Sequence, residues 1–249
     1  MKSKTEHLIF GIHPLAEAIN AGKEINKVFI RKGIKNEVFS VLFQKIRGYG
    51  IPFQFVPVEK LNRLTKGNHQ GVVALLSLLE YKNLEEIVQQ VFEQGRDPFI
   101  IILDSITDVR NFGAIARTAE CAGVDAIVVP EKGAAVITPD ALKTSAGALN
   151  RVAVSRRKDL ESTLRYLRES GLRIIAASEK SSDNYYDTDL TGPIALLMGS
   201  EGSGITPKLQ ILADNSVRIP LKGSINSLNV SVAFGIIAFE ILRQRQEGL

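Results

Sequence analysis

Apolar and polar positions follow one rhythm up to about residue 80 and a different one from residue 98 onward. In the first stretch, helical spacing in HPLAEAINAG gives way to the strand-like KVFIRKG, then to an amphipathic helix in VFSVLFQKIRGYG. A strand at PFQFVPV, a short helix at EKLNRLT and a strand at QGVVALLSLL complete a small α/β unit, residues 1–80. The polar stretch EYKNLEEIVQQVFEQGRD reads as a linker, residues 81–96, with a helix of its own. A second domain then spans residues 97–249.

In that second domain, short β-branched runs alternate with helices. PFIIILD precedes a helix from about Gly113 to Ala122, and AIVVP precedes one around Asp140–Leu149. VAVSR leads into DLESTLRYLRES, which Gly171 closes as a C-cap, and RIIAAS, PIALLMG and SVRIP follow. Apolar runs separated by helices imply strands buried on both faces, hence a mostly parallel sheet. The chain's final helix, from about Leu228 to Gln246, contains LNVSVAFGIIAFEIL and is apolar nearly all the way round. Such a helix is buried on several sides within one chain or sits in a subunit interface.

Charge sharpens this division. The net charge is +4, but residues 1–80 hold 12 Lys/Arg against 6 Glu, while residues 81–249 hold 19 Lys/Arg against 21 Asp/Glu. The positive excess belongs to the first unit, where it favours nucleic acid or is simply a solvated face. Mean hydropathy is +0.05 and no apolar run is long enough to span a membrane, so the chain reads as cytoplasmic. A single cysteine, Cys121, excludes an intrachain disulfide and is expected to be a small buried apolar residue. The three histidines, His7, His13 and His69, all lie in the first unit. The second domain therefore has no imidazole for acid–base work, and the chain has almost nothing to hold zinc.

In a parallel sheet, ligands gather at the carboxyl ends of the strands, and three of these ends are distinctive. After PFIIILD, Asn111, Gly113 and Arg117 follow an N-x-G-x-x-x-R spacing. Small residues there leave room for another chain or an RNA backbone beside the guanidinium. Alternatively, Asn111 caps the helix and Arg117 makes a surface ion pair. After PIALLMG, three glycines surround Glu201 in GSEGSG, suggesting a backbone wrapped around a ligand or an ordinary glycine-rich turn. After SVRIP, Asn226, Ser227, Asn229 and Ser231 crowd the start of an apolar helix, more polar groups than one cap requires; Ser227 or Asn226 is the candidate cap. The dinucleotide fingerprint G-x-G-x-x-G is absent after the first strand, which counts against a nicotinamide-dependent oxidoreductase.

Together and in this order, NFGAIAR, LLMGSEGSG and IPLKGSINSLNVSVA resemble the motifs of the SPOUT superfamily of RNA methyltransferases, and within it the TrmH family of ribose 2′-O-methyltransferases. The stretch from HLIFGIHPLAEAI to NHQGVVAL is similar to the substrate-binding domain of members acting on large-subunit ribosomal RNA, whose fold is like that of a kink-turn-binding ribosomal protein. The resemblance implies an α/β fold: a parallel-sheet methyltransferase domain with a C-terminal deep trefoil knot, preceded by a small α/β RNA-binding domain. It also implies a homodimer and the cofactor S-adenosylmethionine, released as S-adenosylhomocysteine. The cofactor would sit against Met198, Gly199, Ile219, Pro220, Leu221 and Leu228. No metal is implied. Arg117, Asn111, Glu201, Ser227 and Asn229 match the catalytic positions. The family assigns deprotonation of the ribose hydroxyl to the arginine, but a guanidinium essentially never loses its proton in a protein. Stabilising the developing 2′-oxyanion and gripping the adjacent phosphate is the preferred role. The implied target is a guanosine in large-subunit ribosomal RNA; guanosine 18 of transfer RNA and a catalytically inactive RNA-binding module are the alternatives.

Overall fold

The computed structural model describes residues 8–135, 137–200 and 202–247; Glu201 lies outside the described residues. The chain forms two compact units that divide after Glu80, except that Ile137 and Thr138 count with the first.

The first unit runs β1 (Leu8–Phe10), α1 (Ile12–Asn20), β2 (Ile25–Arg31), α2 (Glu37–Gly48), β3 (Phe53–Val56), α3 (Val58–Leu64), β4 (Val72–Leu76). Its sheet has the order β1-β4-β2-β3, with β4 antiparallel to both neighbours and β2 parallel to β3. Strand pleating sends Val28, Ile30, Val72 and Ala74 to one face, where Leu15 and Ile19 of α1 and Leu42 and Ile46 of α2 cover them. Phe29, Val56 and Val73 face the other way and pack with Leu61 of α3.

The second unit runs α4 (Leu84–Glu93), β5 (Phe99–Leu103), α5 (Val109–Cys121), β6 (Ala126–Pro130), α6 (Pro139–Thr144), β7 (Ala153–Arg157), α7 (Leu160–Glu169), β8 (Arg173–Ala177), β9 (Ile194–Met198), α8 (Pro207–Gln210), β10 (Asn215–Val217), α9 (Val230–Glu247). Its six strands lie in the order β10-β8-β9-β5-β6-β7, and every pair is parallel. All five residues of β5 and of β9 are buried, as uninterrupted apolar runs on central strands require. One face carries Ile100, Ile102, Val128, Ile174 and Leu197, packed with residues of α4, α7 and α8. Leu84 and Val88 of α4 belong to this core, so the stretch between the two units is built into the second one. Glu85 of α4 holds Arg157 through two parallel hydrogen bonds of 2.7 and 2.9 Å, which keep the Glu85 carboxyl below its ordinary value.

Two local expectations are corrected, and one side of the last helix stays exposed. Helix α5 begins at Val109, because Asp108 caps it by accepting from the amides of Arg110 and Asn111 at 2.6 and 3.1 Å; Asn111 is inside the helix. Cys121 is exposed, since the buried face of α5 is drawn by Phe112, Ile115, Ala116 and Ala119 and the last residue points away from it. Helix α9 is not buried all round. Val230, Phe234, Ile237, Ala238 and Ile241 face inward, while Val232 and Phe239 are about half exposed. At its far end, Arg245 donates to the carbonyls of Asp97, Pro98 and Gly192 and lies over the Phe99 ring, which ties α9 to the entries of β5 and β9.

Candidate active site

The three distinctive loops meet at the carboxyl end of the central strands. Gly199 follows β9, and Ser200 and Gly204 exchange backbone hydrogen bonds of 2.9 and 3.1 Å, folding the loop back on itself. A Cβ at Gly199 would lie 2.1 Å from the Gly204 carbonyl carbon and 2.2 Å from the Ile205 amide. Backbone packs on backbone here, and only glycine permits it. Buried Asp104, just past β5, holds the far side of the loop: its carboxylate accepts from the Thr206 amide at 2.7 Å and the Ser105 hydroxyl at 2.9 Å. Its own amide donates to the Met198 carbonyl.

Beside this loop lies a cavity of about 240 Å³. Of the residues expected to hold a cofactor, Met198, Gly199, Ile219, Leu221 and Leu228 line it. Pro220 does not; it lines an adjoining depression with Ile219, Leu221 and Asn226. Val217, Val230, Ala233 and Ile237 add apolar surface, while Ser200, Ser203, Asn226 and Ser227 add polar groups. The end of β8 contributes Ala177, Ser178, Glu179 and Lys180, which sequence reasoning missed. Nothing in RIIAASEK marks it out; only its place beside β9 in the strand order does.

The catalytic candidates divide. Ser227 lines the cavity, whereas Asn111, Arg117 and Asn229 do not. Asn229, rather than Asn226 or Ser227, caps α9: its side-chain oxygen accepts from the Ser231 amide at 3.0 Å and the Ser231 hydroxyl at 2.6 Å. The Asn229 amide nitrogen donates to the Asn111 side-chain oxygen at 3.0 Å, joining the starts of α5 and α9. Arg117 is exposed, and among the described residues it has no hydrogen-bond or ion-pair partner. Gly113 does not leave space for RNA. A Cβ there would lie 2.7 Å from Thr144 Cβ and 3.1 Å from the Ala141 carbonyl, so α6 occupies that side of α5. Glu201 is outside the described residues, and its expected role has no geometry attached.

Among the described residues no group of three or more His, Cys, Asp or Glu could hold a metal ion, and no helix is long and apolar enough to cross a membrane.

Comparison with known proteins places this geometry. Residues 98–239 match the SpoU rRNA methylase family, and residues 8–82 match the RNA 2′-O ribose methyltransferase substrate-binding family. A protein of Staphylococcus epidermidis described as a TrmH family tRNA/rRNA methyltransferase is 34% identical over 240 residues, covering 96% of each chain. The SpoU methyltransferase AviRb of Streptomyces viridochromogenes, solved with AdoMet, shares the fold with a TM-score of 0.61 at 24% identity, over 97% of this chain and 91% of that one. The TrmH/SpoU tRNA modifying enzyme of A. aeolicus aligns with a TM-score of 0.57 at 31% identity, over 66% of this chain and 85% of that one. The chain belongs to the SpoU (TrmH) family of RNA ribose 2′-O-methyltransferases.

Proposed function

We propose that the protein uses S-adenosylmethionine to methylate the 2′-hydroxyl of a guanosine in large-subunit ribosomal RNA. The observation that carries the reading is the pairing of a cavity built from strand-end loops with an unpartnered arginine on the helix tied to one of those loops. The cavity suits an adenosine: apolar walls from Met198, Ile219, Leu221 and Leu228 for the ring, and serine and asparagine groups for the ribose. Opposite charges at Glu179 and Lys180 suit an amino-acid tail. When bound, the cofactor supplies a methyl group already activated on a sulfonium.

The protein's part is then positioning and charge stabilisation. Arg117 keeps its proton and donates to the developing 2′-oxyanion and to a neighbouring phosphate, and the hydroxyl proton leaves to water. Glu201 orients the arginine and Asn111, held by Asn229, orients the RNA, while Asn229 and Ser227 shape the cofactor side. The exposed Val232 and Phe239 on α9 support a homodimer, the form in which an apolar outer helix face is covered. Within this reading the chain between β9 and α9 forms the trefoil knot expected from the family resemblance, and the enzyme works in the cytoplasm.

Ribosomal RNA is favoured by the rRNA methylase family match at residues 98–239, and transfer RNA is the second candidate because the relatives bear both names. Mapping 2′-O-methylation in total RNA from cells with and without the protein tests the assignment. A methyl group lost from a large-subunit guanosine is the expected result. Loss from transfer RNA alone would replace it.

A further inference from the structure

The loop between α3 and β4 builds a second concave site, in the N-terminal unit. It is an open depression of about 530 Å³ lined by Arg31, Asn62 and the segment Thr65–Gly71. The loop is rigidly held. Gln70 adopts φ 49°, a left-handed conformation uncommon for a residue with a side chain, and Gly71 follows at φ 86°. Strain of this kind persists where the surroundings over-determine it. Gln70 is fixed by accepting from the Ile12 amide at 3.0 Å, and a Cβ at Gly67 would meet the Phe10 ring at 2.4 Å. His69 is fixed at both nitrogens: Nδ1 accepts from the Gly71 amide at 2.9 Å, so Nε2 carries the proton and donates to Asn62 Oδ1 at 2.9 Å. That bond holds the Asn62 side chain at the wall of the pocket.

The charged side chains that line the pocket are both cations. Arg31 and Lys66 are exposed and, among the described residues, have no anionic partner. None of the nine lining residues is acidic. A rigid pocket offering a guanidinium and an ammonium, with no carboxylate, selects an anion of phosphate geometry.

We propose that this pocket seats a backbone phosphate of the substrate RNA, with Arg31 and Lys66 as its direct contacts. The inference rests on the RNA methyltransferase reading and assigns residues to substrate contact. Filter binding of the full-length protein to deproteinised large-subunit ribosomal RNA, across 50 to 200 mM KCl, tests it. Arg31→Ala and Lys66→Ala should each weaken binding about fivefold or more at 100 mM KCl, and the double variant should reduce the salt slope by about 0.7–0.9 per phosphate released. Lys23→Ala, an exposed cation outside the pocket, should change neither. Wild-type affinity and slope in the double variant would overturn the proposal. So would displacement of RNA from the wild type by low-millimolar inorganic phosphate, which would assign the pocket to a small anion. Calorimetry with S-adenosylmethionine keeps the two readings apart. Unchanged RNA binding by a double variant that still binds the cofactor removes the pocket alone, whereas a wild type that binds no cofactor removes the methyltransferase reading.

Discussion

The Asn229 amide nitrogen lies 3.0 Å from the Asn111 side-chain oxygen, across 118 residues of sequence. Asn229 thus has two separable jobs: its oxygen caps α9 and its nitrogen secures α5. Asn229→Ala removes both and should cost about 1 kcal/mol from the cap alone, lowering Tm by roughly 2–4 °C. Asn229→Asp keeps a capping oxygen and loses the donor. It should melt near the wild-type temperature yet methylate RNA more slowly, and thermal melts read beside initial rates would show this. Equal activity in the aspartate variant would leave the bond to Asn111 a matter of packing.

Gly199 and Gly202 sit three residues apart in one loop and should respond oppositely to alanine. At Gly199 the methyl group would collide with the Gly204–Ile205 backbone, whereas at Gly202 nothing lies within 4 Å. Overpacking of about 1–3 kcal/mol should weaken S-adenosylmethionine binding by Gly199→Ala roughly ten- to hundredfold. Gly202→Ala should bind as the wild type does in the same calorimetric titration.

Arg117→Ala should lower the methylation rate by about a hundred- to a thousandfold, the usual loss of an oxyanion donor. Cofactor affinity should stay within about twofold, since Arg117 does not line the cavity, and stability within about 0.5 kcal/mol, since the side chain is exposed. Arg117→Lys separates the roles. Retained activity with an unshifted pH profile would argue that a planar fork is unnecessary.

The Glu85–Arg157 pair gives a pH dependence of definite sign. The carboxyl is held below its ordinary value of 4.5 by the hydrogen bond from Arg157. Its contribution is therefore present above the unfolded pKa and is lost as pH falls through the folded one. Glu85→Gln should be less stable than the wild type at pH 7, by less than about 1 kcal/mol given the partial exposure of both groups. The gap should close below about pH 4.5 in denaturant melts. A gap that widened with acid would reverse the sign.

Much of this architecture can be read in the residues themselves. The β-branched runs at Phe99–Leu103 and Ile194–Met198 announce buried parallel strands, and each strand-end loop is marked by glycine or asparagine. Boundaries and caps are harder, because they are decided by competition among neighbours. Three residues between Asn226 and Asn229 could each have capped α9, and the choice falls on the one whose remaining amide finds Asn111, a partner that local sequence cannot show. Asp108 was masked by the more conspicuous Asn111 and Gly113. Strand β1 is three residues long, too short for a period to register. Gly113 carried a true signal for close approach, but the approaching group is Thr144 of the same unit.

The pairing of β5 with β9 has a consequence for how the enzyme comes into being. Phe99 is matched to Ile194 and Leu103 to Met198, so one edge of the innermost strand waits until nearly four-fifths of the polypeptide has left the ribosome. Until then β5 can dock only with β6, and the hollow beside Gly199 has no floor. Even then no nascent fragment can rehearse the catalytic chemistry: the cavity wall from Val217 to Ile237 is still to come, so the ability to recognise the methyl donor arrives later than the central pairing.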